Sequence, residues 1–151
     1  MNDTMNKITV RTRDFDEIQV TDKDIITFPN GIFAFEEYKQ YSILSPLGNG
    51  KYPMWLQSVE NPELCFILFN PLEFCPQYRV TVDDAEVSPL ELDADEQTSF
   101  YVIAVIPENH LDATVNLKSP IIVKTKNNKA VQVIVDDDYP IKFPVFAKGG
   151  Q

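Results

Sequence analysis

A chain of 151 residues, 44% of them hydrophobic, can bury a substantial core, so general disorder is excluded. The formal net charge of -10 argues against direct nucleic-acid binding, because phosphate backbones are bound by clustered Lys and Arg. No apolar run is long enough for a membrane span, and no signal peptide is visible at the start. We therefore expect a cytoplasmic protein with no membrane partner.

Short strands are predicted along the whole chain, wherever β-branched and aromatic residues alternate with polar ones or run together. Eleven prolines lie largely between these segments and disfavour long helices. The pattern predicts an all-β fold: one compact β-barrel-like domain of antiparallel strands over residues 1–145, with a frayed tail at 146–151. The predicted strands are residues 8–11, 17–20, 25–28, 41–45, 54–59, 64–69, 78–82, 100–106, 121–125 and 131–135.

Turn and helix signals separate the strands. Residues 29–31, Pro-Asn-Gly, form a turn signature, and residues 126–130 predict a hairpin with an Asn in the left-handed region. One or two short helical turns are predicted, at residues 35–40 and 88–97. Ser88 is expected to be the N-cap of the second, because a proline and then a glutamate of a capping box follow it.

The negative charge is concentrated in one quarter of the chain. Residues 80–117 contain nine Asp or Glu and no Lys or Arg, while the other 14 acidic residues are almost balanced by 13 basic ones. This stretch is either a solvated surface or an electrostatic surface for a basic partner. A separate acidic run, residues 136–138, is expected to end the last strand. The candidate acidic face consists of Asp83, Asp84, Glu86, Asp93, Asp95 and Glu96.

No catalytic or metal-binding pattern is present in the sequence. His110 is the sole histidine and lies in a loop-like segment, while Cys65 and Cys75 are too few for a disulfide framework. One histidine and two cysteines cannot supply four zinc ligands. We expect no catalytic residue, no metal and no cofactor.

Three segments, in this order and spacing, resemble the FliW family of flagellar assembly factors. They are residues 28–36 (Phe-Pro-Asn-Gly-Ile-Phe-Ala-Phe-Glu), residues 56–58 with 66–71 (Leu-Gln-Ser and Phe-Ile-Leu-Phe-Asn-Pro), and residues 114–121 (Thr-Val-Asn-Leu-Lys-Ser-Pro-Ile). The family usually has a glycine where this chain has Ala34. The motif positions expected to be structural or to lie at an interface are Phe28, Pro29, Gly31, Leu56, Gln57, Ser58, Phe66, Asn116, Leu117 and Pro120.

The resemblance implies a β-barrel-like protein without enzymatic activity and with two protein partners. One is flagellin, bound in the cytoplasm before export; the other is CsrA, a dimeric RNA-binding regulator that represses flagellin synthesis. Unexported flagellin would occupy the protein and leave CsrA free, whereas export would release the protein to sequester CsrA.

Candidate surfaces follow from these partners. An amphipathic flagellin segment requires an exposed apolar patch, for which Phe33, Phe35, Asn70 and Pro71 are the candidates. The acidic face is expected to repel RNA from CsrA, either from a neighbouring position or by mimicking RNA in its site. The alternative is a small-molecule-binding β-barrel or an enzyme with an unrecognised carboxylate site, which requires a deep pocket with a buried Asp or Glu.

Overall fold

The computed structural model describes residues 7–48, 51–92 and 97–146. Short strands dominate these ranges, joined by one short α-helix, α1 (Asp84–Val87), and by 3-10 turns. The 3-10 turns are Asp22–Asp24, Pro71–Glu73, Ser88–Leu90 and His110–Asp112. The strands are β1 (Lys7–Val10), β2 (Ile18–Thr21), β3 (Ile25–Thr27), β4 (Gln40–Leu44), β5 (Met54–Ser58), β6 (Cys65–Phe69), β7 (Thr98–Val105), β8 (Thr114–Val115), β9 (Ile121–Lys124), β10 (Lys129–Gln132) and β11 (Phe143–Pro144).

Seven strands close into a barrel. Strands β3 to β7 are antiparallel neighbours in chain order, and β9 and β10 form an antiparallel hairpin that returns to them. Closure occurs at two places: the first half of β7 pairs with β9, and β10 meets β3 in a parallel pairing of Lys129 with Thr27. The predicted β-barrel fold is therefore confirmed, with one parallel pairing in an otherwise antiparallel barrel.

The barrel interior is filled by apolar side chains. Tyr41 is completely buried, and its ring lies 5.3 Å from that of Phe28 and 6.1 Å from that of Phe66. Since interiors pack nearly as densely as organic crystals, this filling leaves the barrel as a solid core. The buried members of the interior cluster are Ile26, Phe28, Ile32, Tyr41, Met54, Leu56, Leu68, Ile121, Val123 and Ala130.

The outer face of the barrel is also covered on one side. In β7, Tyr101 and Ile103 face the interior, whereas Phe100 and Val102 face the outside, because successive side chains alternate. The outward-facing side chains are covered by the chain segments that come before β7 and after β10. Burial on both faces explains why this strand is an almost continuous apolar run in the sequence.

The N-terminal hairpin of β1 and β2 is fastened to the barrel by side chains. The ring of Phe15 meets that of Trp55 edge-to-face at 5.3 Å, and the Trp55 indole N–H donates to Asp14. The Arg13 guanidinium donates to Asp14 and to the Cys65 carbonyl. The bonds from Arg13 and Trp55 hold the pKa of the Asp14 carboxyl below its usual value, despite some burial.

The predicted strand at residues 78–82 is wrong. Its backbone amides bond to side chains: that of Arg79 to the Tyr139 hydroxyl at 2.9 Å, and that of Thr81 to Asp137 Oδ1 at 2.7 Å. Because these donors already have acceptors, the segment runs extended across the outer core without joining the sheet.

Three further predictions differ from the structure, while one hairpin agrees. The last predicted strand ends at Gln132, well before the 136–138 acidic run, so that run does not terminate it. No helix forms at residues 35–40, which are described as turns and extended chain up to the start of β4. Ser88 is not an N-cap, because Asp83 caps α1 and the Ser88 hydroxyl donates to the Ala85 carbonyl. The hairpin at residues 126–130 is confirmed, with Asn128 at φ 55°.

Candidate functional site

The first motif folds into a tight loop between β3 and β4. Phe28 is buried, and its carbonyl accepts a bond from the Gly31 amide at 2.9 Å. Gly31 has φ 73°, and a Cβ there would lie 2.5 Å from the Glu36 Cα. Pro29 is exposed at the start of the turn. The proline and glycine therefore shape the loop, and only a glycine fits at position 31.

The same loop displays its aromatic residues at the surface. Phe33 is 43% exposed and Phe35 is 37% exposed, although the Phe35 ring meets that of Phe66 edge-to-face at 5.4 Å. Between them, Ala34 has φ 75°, a conformation that explains why a glycine suits this position. The loop thus presents two aromatic side chains at the surface on either side of a strained residue, Ala34.

The second motif is a buried hydrogen-bonding centre. Gln57 Oε1 accepts from the Arg13 amide at 2.9 Å, and its Nε2 lies 3.1–3.2 Å from the carbonyls of Ser58, Pro62 and Leu64. Ser58 Oγ accepts from two further amides of the same loop. Leu56 belongs to the barrel interior. In the structure these residues hold the β5–β6 loop and the N-terminal hairpin in place.

The third motif is also explained by local bonds. Asn116 Oδ1 accepts from the amides of Lys118 and Ser119 at 2.9 and 3.1 Å, which satisfies the side chain within its own turn. Leu117 is buried in the outer core, and the buried Pro120 accepts a backbone bond from Val133. The Leu117 carbonyl accepts the Tyr78 hydroxyl at 2.7 Å.

The second pair of flagellin-binding candidates lies at the far end of β6. Pro71 is buried and begins a 3-10 turn, while Asn70 Oδ1 caps that turn by accepting from the Leu72 amide. Asn70 is four residues beyond Phe66, or roughly 13 Å along an extended strand. Thus the structure places the two candidate pairs at opposite ends of one strand and does not join them in one patch.

Asn70 and Pro71 line a groove of about 570 Å³ on the barrel surface. Leu72, which sequence reasoning missed, is 52% exposed there. Burial raises the pKa of Tyr52 to about 12 and that of Tyr78 above its ordinary value, so both phenols stay neutral at physiological pH. The groove is lined by Tyr52, Asn70, Pro71, Leu72, Tyr78, Arg79, Val80, Thr98, Ser99 and Phe100.

The described part of the acidic face centres on α1. Asp83 and Asp84 are exposed, and Glu86 Oε2 accepts from the Ile134 amide at 3.2 Å. Through this bond and the bond of Asp137 to Thr81, the acidic run 136–138 is brought towards α1. No local pattern along the chain predicts that these two acidic segments meet. Three candidates, Asp93, Asp95 and Glu96, lie outside the described residues.

The alternative hypothesis required a buried carboxylate in a deep pocket. Within residues 7–48, 51–92 and 97–146, every Asp and Glu is at least partly exposed, and the barrel interior is filled. In the same ranges, no helix has the length and apolar character needed to cross a membrane.

The fold and these surfaces define a class: a small closed β-barrel with a displayed aromatic loop, an open surface groove and an acidic helix. A family model described as FliW protein matches residues 9–145, and the chain belongs to the FliW family. A flagellar assembly factor FliW of Caldicellulosiruptor saccharolyticus is 37% identical over 143 residues, covering 94% of this chain and 93% of the relative. One of Treponema denticola is 31% identical over 129 residues, covering 85% and 86%.

A solved structure agrees with this assignment. The crystal structure of a flagellar assembly factor FliW superimposes with a TM-score of 0.83 at 30% identity, covering 93% of this chain and 98% of that one. The resemblance seen in the three sequence motifs is therefore confirmed at the level of family and fold.

Proposed function

We propose that this protein is a non-enzymatic flagellar assembly factor that binds flagellin in the cytoplasm and antagonises CsrA. The observation that carries the proposal is the family match over residues 9–145, because the relatives it unites are named flagellar assembly factors. Flagellin export would then be coupled to flagellin translation by exchange of partners. The partly exposed position of every described Asp and Glu supports a binding role over catalysis.

Flagellin binding is supported by the exposed apolar surface. Phe33 and Phe35 remain accessible on a loop whose backbone is fixed by the turn at Gly31. Rigid aromatic side chains lose little conformational entropy on binding, and such residues dominate the energy of many protein interfaces. An amphipathic flagellin segment could cover these rings.

Antagonism of CsrA is supported by the charge on α1. An RNA-binding protein depends on phosphate contacts, which weaken when negative charge lies within about one Debye length, about 8 Å at physiological salt. Asp83, Asp84 and Glu86 would repel RNA from CsrA in the complex without entering the RNA site. Asp93, Asp95 and Glu96 are proposed to extend this face.

The test of partner exchange uses size-exclusion chromatography and calorimetry with flagellin and CsrA from the same bacterium. The protein should form a saturable complex with each, and adding flagellin should release CsrA from its complex. A protein that binds neither partner would refute the proposed function.

The repulsion mechanism needs a separate variant. Replacing Asp83, Asp84 and Glu86 with Asn, Asn and Gln removes three charges and keeps the acceptor oxygens that cap α1 and bond Ile134. RNA displacement from CsrA should weaken, while docking to CsrA is retained. A control variant neutralises three exposed acids elsewhere: Asp16, Glu17 and Glu37.

If the control and the test variant displace RNA equally well, the repulsion mechanism is wrong. Titrating RNA into a fixed amount of the complex distinguishes repulsion from mimicry. Excess RNA should overcome carboxylates that occupy the RNA site, because both then compete for one surface.

A further inference from the structure

Within the part of the chain that the structure describes, one edge of β7 has no strand beside it over its first half. The strand pairs with β9 at residues 98–101 along one edge, but its opposite edge meets β6 only from Val102 to Ala104. Beyond Phe69, the chain of β6 turns away at Asn70 and Pro71 into the 3-10 turn. Because proline has no amide hydrogen to donate, the ladder stops there and the edge of β7 is left open.

The direction of the backbone groups on this edge follows from the hydrogen bonds of its neighbours. The Gln97 carbonyl accepts from Thr125, on the β9 side, and the Ile103 carbonyl accepts from Asn116, which is on the same side. Alternate residues of a strand point their N–H and C=O groups to opposite edges. Thr98 and Phe100 therefore direct theirs towards the open edge.

These backbone groups face the groove. Thr98 and Phe100 both line it and are partly exposed, and among the described strands the pairing of β6 with β7 begins only at Val102. A free strand edge of this kind is a template for an added strand. Its length, about three residues or roughly 10 Å, suits a short extended segment.

The surroundings indicate the chemistry of that segment. The exposed Leu72 and the partly exposed Tyr52 provide apolar surface on which alternate side chains can pack. Arg79 is the one charged residue among the described residues that line the groove, so it favours a carboxylate on the segment that binds there.

We propose that an extended segment of flagellin, apolar at alternate positions and carrying a carboxylate, adds as a strand to β7 at Thr98 and Phe100. This rests on the proposed function, since flagellin is the partner that supplies the segment. It also gives Asn70 and Pro71 a specific role, because they end β6 and so leave the edge open.

Amide hydrogen exchange, measured by NMR on the protein alone and saturated with flagellin, tests the proposal directly. The amides of Thr98 and Phe100 should exchange rapidly in the free protein and at least about tenfold more slowly in the complex. Ser99 and Tyr101 pair with β9, and alternation along the strand directs their amides towards it, so both should be slow in both states. Unchanged exchange at Thr98 and Phe100 in the saturated complex would overturn strand addition.

Two other results would also overturn it. Protection already present in the free protein means that this chain or a second copy occupies the edge. Protection that arises with CsrA and not with flagellin assigns the edge to a different partner.

A variant pair tests the contribution to binding. Thr98→Pro removes a donor that faces the groove and leaves the bonds to β9 in place, whereas Thr98→Val keeps the amide. Thr98→Pro should weaken flagellin binding by about tenfold or more, and Thr98→Val should leave it within about threefold. If Thr98→Pro lowers the melting temperature, the binding experiment uses Leu72→Asp, at the exposed rim of the groove, in its place. Leu72→Asp should weaken flagellin binding by the same factor.

The outcomes separate the two proposals. Failure of the unaltered protein to bind flagellin refutes the proposed function. Normal binding by the unaltered protein and equally by Thr98→Pro and Leu72→Asp refutes the strand addition alone.

Discussion

Replacing Gln57 with Ala should destabilise the protein strongly, although polar residues usually contribute little to a protein core. The side chain is fully buried and is the sole side-chain partner of the Arg13 amide among the described residues. It also donates to carbonyls of the β5–β6 loop, including those of Pro62 and Leu64. The substitution therefore disconnects two separate pieces of chain from β5.

The expected size of the effect follows from the buried groups left without partners. Each unsatisfied buried donor or acceptor costs about 1–3 kcal/mol, and the vacated volume adds to this. Water can reach the exposed part of the loop, which reduces the sum. We expect a loss of about 3 kcal/mol in the free energy of unfolding, or about 6–12 °C in melting temperature for a domain of this size.

Urea denaturation and thermal melting measure this loss. Gln57→Glu provides a second variant of the same shape, and it should be worse than Ala because it directs a carboxylate oxygen at three carbonyls. The control is Gln19→Ala, since Gln19 is exposed and, among the described residues, its side chain bonds only the Thr9 hydroxyl. It should change stability by less than about 0.5 kcal/mol. A Gln57→Ala loss as small as that of the control would refute the reasoning.

Three further predictions concern backbone conformation and burial. Gly31→Ala should cost about 3 kcal/mol in urea denaturation, from a 2.5 Å clash and a left-handed φ. Gly48→Ala should cost about 1 kcal/mol, because its Cβ would make only an ordinary 3.6 Å contact with the Lys51 side chain and the positive φ is its main cost; equal losses would contradict the role of the clash. Ala34→Gly should stabilise by about 0.5 kcal/mol, since relief of φ 75° exceeds the added chain entropy; a destabilised variant would contradict this. Burial raises the pKa of the Cys65 thiol from 9.0 to about 11. The unfolded thiol therefore loses its proton first, and stability should fall between about pH 9 and 11. Urea midpoints across this range should fall less in Cys65→Ala; an identical fall would refute the assignment.

Most of the barrel strands could be predicted from local pattern. Residues 25–27, 41–44 and 65–69 carry β-branched and aromatic side chains bounded by turn residues, and each forms a strand in the structure. The left-handed Asn128 and the turn at Gly31 were equally visible, because turn chemistry depends on a few adjacent residues.

Predictions failed where a side chain from a distant segment replaced a local bond. Alternation at residues 78–82 is real, since Tyr78, Val80 and Val82 all face the outer core, yet Tyr139 and Asp137 take the amides that a neighbouring strand would have bonded. The capping prediction failed for a local reason: Asp83, and not Ser88, caps the helix because the chain enters it about one turn earlier.

The sequence by itself determined the strand-rich class, the three motifs and the concentration of acidic residues in 80–117. These depend on composition and on residues close together in the chain. Only the tertiary structure decided which strands pair, that β7 closes the barrel against β9, and that Asn70 and Pro71 leave part of the β7 edge open. The physical reason is distance along the chain. Strand pairing and barrel closure join segments up to about a hundred residues apart, and no local pattern specifies the register between them.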